Sequence, residues 1–129
     1  MPLAIARDPI SLAGPGAGQL AISGDDAVRV LNVTPVTVTI QNLTITHGAV
    51  GDQGAGINNN GDLSLDHVVV SDNVVTAGGG QAKGGGIFSD GTLTLVDSSV
   101  LDNSATSSGQ SYGGGVYSEG FGITLGLHV

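Results

Sequence analysis

The stretch Gly84-Gly85-Gly86-Ile87-Phe88-Ser89-Asp90-Gly91-Thr92-Leu93-Thr94-Leu95-Val96-Asp97-Ser98-Ser99-Val100-Leu101-Asp102-Asn103 decides the fold. A glycine run leads into Ile87, Leu93 and Leu95 alternate with threonines, Asp97 breaks the run, and Asn103 follows Val100. The same pattern stands earlier as Gly54-Ala55-Gly56-Ile57, Gly61, Leu63-Ser64-Leu65 and Val70-Ser71-Asp72-Asn73. It returns later as Gly113-Gly114-Gly115-Val116-Tyr117-Ser118 and Ile123-Thr124-Leu125. Self-similarity at a period of about 30 residues marks a solenoid, in which no repeat can bury its apolar face alone.

The kind of solenoid follows from the pattern inside one repeat. Its short apolar runs alternate in and out, which is a strand signal. No segment spaces apolar residues at helical intervals, and glycine recurs too often for helices. Short strands joined by Gly, Asn, Asp and Ser corners predict an all-β, parallel β-helix of about four coils with three short strands each. Its hand should be the right one that parallel crossovers adopt. The chain divides as one domain: an opening coil over 1–33, repeat coils over 34–60, 61–90 and 91–120, and an incomplete coil over 121–129.

Residues 1–9 read as an irregular lead-in, and the opening strands as Ile10–Leu12, Leu20–Ile22 and Val28–Leu31. Leu12, Val38, Leu63, Leu93 and Ile123 are placed in one column. Alternation sends Val38, Ile40, Leu43, Ile45, Ile57, Leu63, Leu65, Val68, Val70, Ile87, Leu93, Leu95, Val100 and Val116 into the bore. Asn73 and Asn103 should stack at a corner and bond along the ladder. Segments 47–53, 74–83 and 104–112 read as loops forming one frill, the usual place for binding on a solenoid.

The Gly-Gly-Gly-Ile and Gly-Gly-Gly-Val segments, with Val70-x-x-Asn73 and Val100-x-x-Asn103, resemble the repeats of polymorphic outer-membrane proteins. Related bacterial adhesin-like, pectate-lyase-like β-helices share them. Val70 and Val100 stand where that family commonly has Phe, and Gly48 stands where Asn would be. The resemblance spans roughly residues 10–125. It implies a parallel β-helix from a bacterial secreted or surface protein.

Bulk numbers exclude several functions. The chain has 129 residues, 23 glycines and only four aromatics, with a formal net charge of −8. Arg7, Arg29 and Lys83 are its only strong cations. Nucleic-acid binding needs clustered Lys and Arg, and docking on anionic lipid needs the same. No cysteine is present, so disulfides and thiolate zinc sites are ruled out. No secretion signal is visible, and no apolar run of about 18 residues offers a membrane span.

Chemistry is weighed against architecture at each candidate. Asp66, Asp72, Asp97 and Asp102 supply the carboxylates a polysaccharide lyase or hydrolase would use. Asp72 and Asp102 occupy one repeat position, however, and repeat-locked carboxylates follow from the fold. Arg29 and Lys83 are placed at different corners, which leaves no paired base. Asp25-Asp26 could hold calcium, although an exposed turn explains the pair as well and no calcium loop matches. His47, His67 and His128 lack ligand spacing, so no metal is assigned. Outward Thr39, Ser64, Thr94 and Thr124 form one hydroxyl column. Its neighbour, Thr37, Asp62, Thr92 and Gly122, is broken, which disfavours an ice-binding face.

The sequence thus predicts a non-enzymatic structural or adhesive solenoid without cofactor. Its ligand would be a glycan or a cell surface, and carbohydrate binding or cleavage is the alternative. Ile123, Leu125, Leu127 and Val129 mark an open coil through which copies could join end to end into filaments.

Overall fold

A computed structural model describes residues 10–120 and 122–126, and residues 3–5 as backbone. Among these every regular element is a β-strand, and every ladder is parallel. The strands stack as a parallel β-solenoid of about four turns. Among the described residues no helix is long and apolar enough to cross a membrane.

Face A stacks Leu3–Ile5, Leu31–Val33, Ile57–Asn59, Ile87–Ser89 and Val116–Ser118. Face B stacks Ile10–Ala13, Thr37–Gln41, Asp62–Asp66, Thr92–Val96 and Gly122–Gly126. Face C stacks Ala21–Ser23, Thr44–Thr46, Val69–Ser71 and Ser99–Leu101. Each coil visits A, B and C in turn, so side chains one coil apart lie directly over one another.

Register follows the aliphatic columns. Val38, Leu63, Leu93 and Ile123 are successive partners on face B. Leu31, Ile57, Ile87 and Val116 are successive partners on face A. Val70 lies between Ile45 and Val100 on face C, as expected. Val38, Ile40, Leu43, Ile45, Ile57, Leu63, Leu65, Val68, Val70, Ile87 and Leu93 are fully buried in one core. Leu95, Val100 and Val116, in the last coils, pack against that core while partly exposed.

Four expectations need correction. The segment read as an irregular lead-in contains a strand, Leu3–Ile5, paired with Leu31–Val33. In register, Leu3 and Ile5 pair with Leu31 and Val33, and Ala4 with Asn32. The opening coil's return to face A begins at Leu31, not Val28. Val28 sits in a turn, its N–H donating to Gly24 O at 3.2 Å, and the buried residues are Val30, Leu31 and Val33. Leu12 pairs with Ile40, and it is Ile10 that stands over Val38. Finally, the three frill segments are not plain loops, so the longer coils carry more than three strands. Ala49–Val50, Val74–Ala77 and Ser104–Ser107 form face D, and Gln81–Lys83 pairs with Gln110–Tyr112 as face E. They enclose a second small core of Ala55, Val75, Ala77 and Ala82.

Candidate functional site

The corners decide what the polar residues do. Asn42, His67 and Asp97 turn the chain between faces B and C, with φ of 58°, 54° and 47°. His47, Asp72 and Asp102 turn it after face C, with φ of 52°, 56° and 55°. Gly54, Gly84 and Gly113 lead into face A at φ near 58°. Each corner needs one residue in the left-handed region, where Asn, Asp and His are the tolerated side chains and glycine costs nothing. At Gly84 a Cβ would also meet Ile87 O at 2.2 Å, so this corner must be glycine. Asp72 and Asp102 are both exposed, and their left-handed backbone accounts for the residue type.

Two amide ladders lie inside these corners. Asn73 is fully buried. Its Nδ2 donates to Asn103 Oδ1 at 2.9 Å and to Ile45 O at 3.3 Å. Its Oδ1 accepts from Gly48 N at 2.8 Å. Gly48 has no side-chain amide, so the ladder begins on its backbone N–H. Asn103 Nδ2 continues to Val70 O at 2.9 Å. The second ladder was not read from sequence. Buried Asn59 donates to Ser89 Oγ and Thr92 O, both at 3.0 Å, and accepts from Gly61 N. Its only sequence signal is Asn59 and Ser89 sharing one inward column. No buried side-chain nitrogen or oxygen lacks a partner among the described residues.

The strong cations are placed differently from expectation. Arg29 and Lys83 border the same corner, the one entering face A. Arg29 donates to Gly54 O at 2.9 Å, Gln53 O at 2.7 Å and Asp52 Oδ1 at 2.9 Å. Gly54 N donates to Lys83 O at 3.0 Å. Lys83 Nζ donates to Glu119 Oε1 at 2.6 Å, and that carboxylate holds the ammonium above the ordinary lysine value.

Around this corner lies the chain's aromatic cluster. Asn32, Asn58, Phe88 and Tyr117 form the outward column of face A. Phe88 and Tyr117 stack with centroids 6.1 Å apart, and Tyr112 tilts against Tyr117 at 5.5 Å. Lys83 Nζ lies 5.6 Å from the Tyr117 centroid, within cation–π range. Asn58 donates to Asn32 Oδ1 at 3.0 Å on the same wall. Three of the chain's four aromatics thus meet at one place.

The remaining candidates are scattered. Asp25 and Asp26, the calcium candidates, are exposed and left-handed at the opening coil's corner. Asp26 Oδ1 lies 3.2 Å from His47 Nδ1. Thr39, Ser64, Thr94 and Thr124 do form one outward column, beside Thr37, Asp62, Thr92 and Gly122. Ile123 and Leu125 lie on the outermost strand of face B, exposed by 42% and 74%. Leu127 and Val129, and His128 between them, fall outside the described residues. His67 lacked ligand spacing in the sequence, yet the next coil brings Asp97 to it, beside its chain neighbour Asp66.

Comparison with known proteins finds no family model, no curated protein and no solved structure that matches the chain. What its own geometry establishes is a parallel β-solenoid of about four turns.

Proposed function

We propose that the chain is a non-enzymatic structural or adhesive solenoid, of the adhesin-like kind its repeats resemble in bacterial secreted and surface proteins. One observation carries this reading. The repeated carboxylates and amides sit where the backbone requires them: Asp72 and Asp102 at left-handed corners, Asn73 and Asn103 in a buried ladder. Residue types fixed by coil geometry need no catalytic explanation. Copies join end to end in this reading. Ile123 and Leu125 offer an apolar strand edge on one side, and Ile10, on the first strand of face B, offers one on the other, with exposed Leu20 in the loop that follows that strand. Such a head-to-tail contact does not close and builds fibres. Light scattering and electron microscopy of the 129-residue chain test this. Concentration-dependent fibres should form and vanish with Ile123→Lys/Leu125→Lys; a wild-type chain that stays monomeric at high concentration contradicts assembly.

Carbohydrate binding is the second reading, favoured by the partly exposed wall of Tyr117, Tyr112, Asn58 and Lys83, with buried Phe88 packed behind Tyr117. Aromatic faces beside amides and a cation suit sugar rings and their hydroxyls. Titration with soluble acidic and neutral oligosaccharides, read from the Tyr117 ring signals, separates the two. Binding lost in Tyr117→Ala supports this reading. Unsaturated product released from polygalacturonate would make the chain an enzyme and overturn the first.

A further inference from the structure

His67 follows Asp66, the last residue of a face B strand, and Asp97 occupies the same corner one coil on. The ladder fixes their placement. Asp66 pairs with Val96, and His67 N donates to Val96 O at 3.0 Å. His67 and Asp97 are both left-handed, so each side chain leaves its corner in the same way. Positions thirty apart in the chain become vertical neighbours, which no local spacing rule detects.

The side chains converge. Asp66 Oδ1 lies 2.6 Å from His67 Nδ1, and Asp97 Oδ2 lies 3.9 Å from His67 Nε2. One ligand atom from each of the three residues lies within 4.8 Å of the others. A carboxylate on Nδ1 fixes the tautomer with hydrogen there, which turns the Nε2 lone pair outward. That lone pair then faces the second carboxylate. This is the arrangement of a carboxylate-oriented imidazole ligand beside an oxygen ligand. Two atoms bound to one zinc ion at 2.0–2.1 Å lie at most about 4.1 Å apart, and about 3.4 Å in a tetrahedral site. The observed separation needs to close by roughly half an ångström, which one side-chain rotation supplies. His67 is 57% exposed, so water can fill the remaining positions.

We propose that His67 Nε2 and Asp97 form a binding site for a divalent ion of the zinc class, with Asp66 as the residue that positions the imidazole. A mixed nitrogen and oxygen donor set favours zinc or a similar borderline ion over calcium. The ion would join two neighbouring coils at one corner. Ligands on a folded solenoid are far apart in the unfolded chain, so binding should raise thermal stability. This site is independent of assembly and of the aromatic wall.

The test is a titration of the intact chain with zinc chloride alone, read by the His67 ring resonances and by the melting temperature. Zinc should shift the His67 resonances with one equivalent at that site and raise the melting temperature. Calcium at the same concentration should do neither. His67→Asn and Asp97→Asn should abolish the response. Asparagine is the right replacement, because Asn42 holds the same left-handed corner one coil earlier. His47→Asn should leave the His67 response intact. Asp66→Ala should weaken binding by about 10–100-fold, the usual effect of losing an orienting partner. Asp66→Asn, which keeps an acceptor oxygen, should recover most of it. A wild-type chain whose His67 resonances and melting temperature ignore millimolar zinc overturns the proposal. So does an undiminished zinc response in folded His67→Asn.

Discussion

Asn73 Nδ2 donates to Asn103 Oδ1 at 2.9 Å, and Asn73 N donates to the same oxygen at 3.0 Å. One amide oxygen thus receives both the side chain and the backbone of the residue one coil below it. Asn73 in turn accepts from Gly48 N. The corner is therefore a continuous polar wire inside an aliphatic body, and it fixes register between three coils.

Removing one link should be costly. Asn73→Ala leaves the buried Gly48 N without its side-chain partner, at about 1–3 kcal/mol for a group stranded in the interior. Urea denaturation should show the loss, with the spectrum of the folded state unchanged. Asn73→Ala melting as wild type does would mean that the ladder is decorative.

Facing is tested one residue apart. Val70 is fully buried and Val69, its neighbour, is only partly so. Val70→Asp buries an unpaired charge and should cost several kcal/mol, roughly the desolvation penalty. Val69→Asp should cost well under half as much. A reversed order in equilibrium unfolding would place every side chain of face C on the wrong side.

The corner explanation of the carboxylates has its own test at Asp72, which is exposed at φ 56°. Asp72→Gly should be neutral or slightly stabilising, because the conformation is retained without strain. Asp72→Val should cost about 1–2 kcal/mol, the penalty of a side chain unsuited to this region. Equal stability of the two variants would show that the residue type is chosen for something other than backbone.

Coil periodicity was legible because Leu63-Ser64-Leu65 and Leu93-Thr94-Leu95 are equally spaced from their flanking glycines, and their partners are the ones expected. Leu12 was misplaced for the opposite reason. The opening coil joins faces B and C through a longer loop, 14–20, so its spacing does not transfer. Faces D and E were hidden by composition. Their buried residues are Val75, Ala77 and Ala82, packed with Ala55, and these small side chains barely stand out from a Gly and Ser background. The neighbours of His67 were hidden by distance along the chain. Register between coils, not local spacing, brings Asp97 to it.

Alkaline pH isolates the Lys83–Glu119 pair. Glu119, the largest cause, raises the Lys83 value above the ordinary 10.5. A raised folded value means that the pair's contribution is complete below the unfolded lysine value and fades as pH rises through the folded one. The stability difference between wild type and Lys83→Met should therefore stay constant from neutral pH to about 10 and close only above that. A difference that closes near pH 7 in parallel melts would assign the effect to another group.

Everything above requires each coil to lie in register over the last, and the absence of cysteine makes that directly measurable. Ser11, Thr39, Ser64, Thr94 and Thr124 are successive partners on face B. Spin labels on Ser11→Cys and Thr124→Cys are therefore four strand steps apart, about 19 Å at the usual spacing. Pulsed dipolar spectroscopy should give one narrow distribution centred near that value, within the width the labels add. A broad distribution, or a mean beyond about 30 Å, would contradict the stacked solenoid.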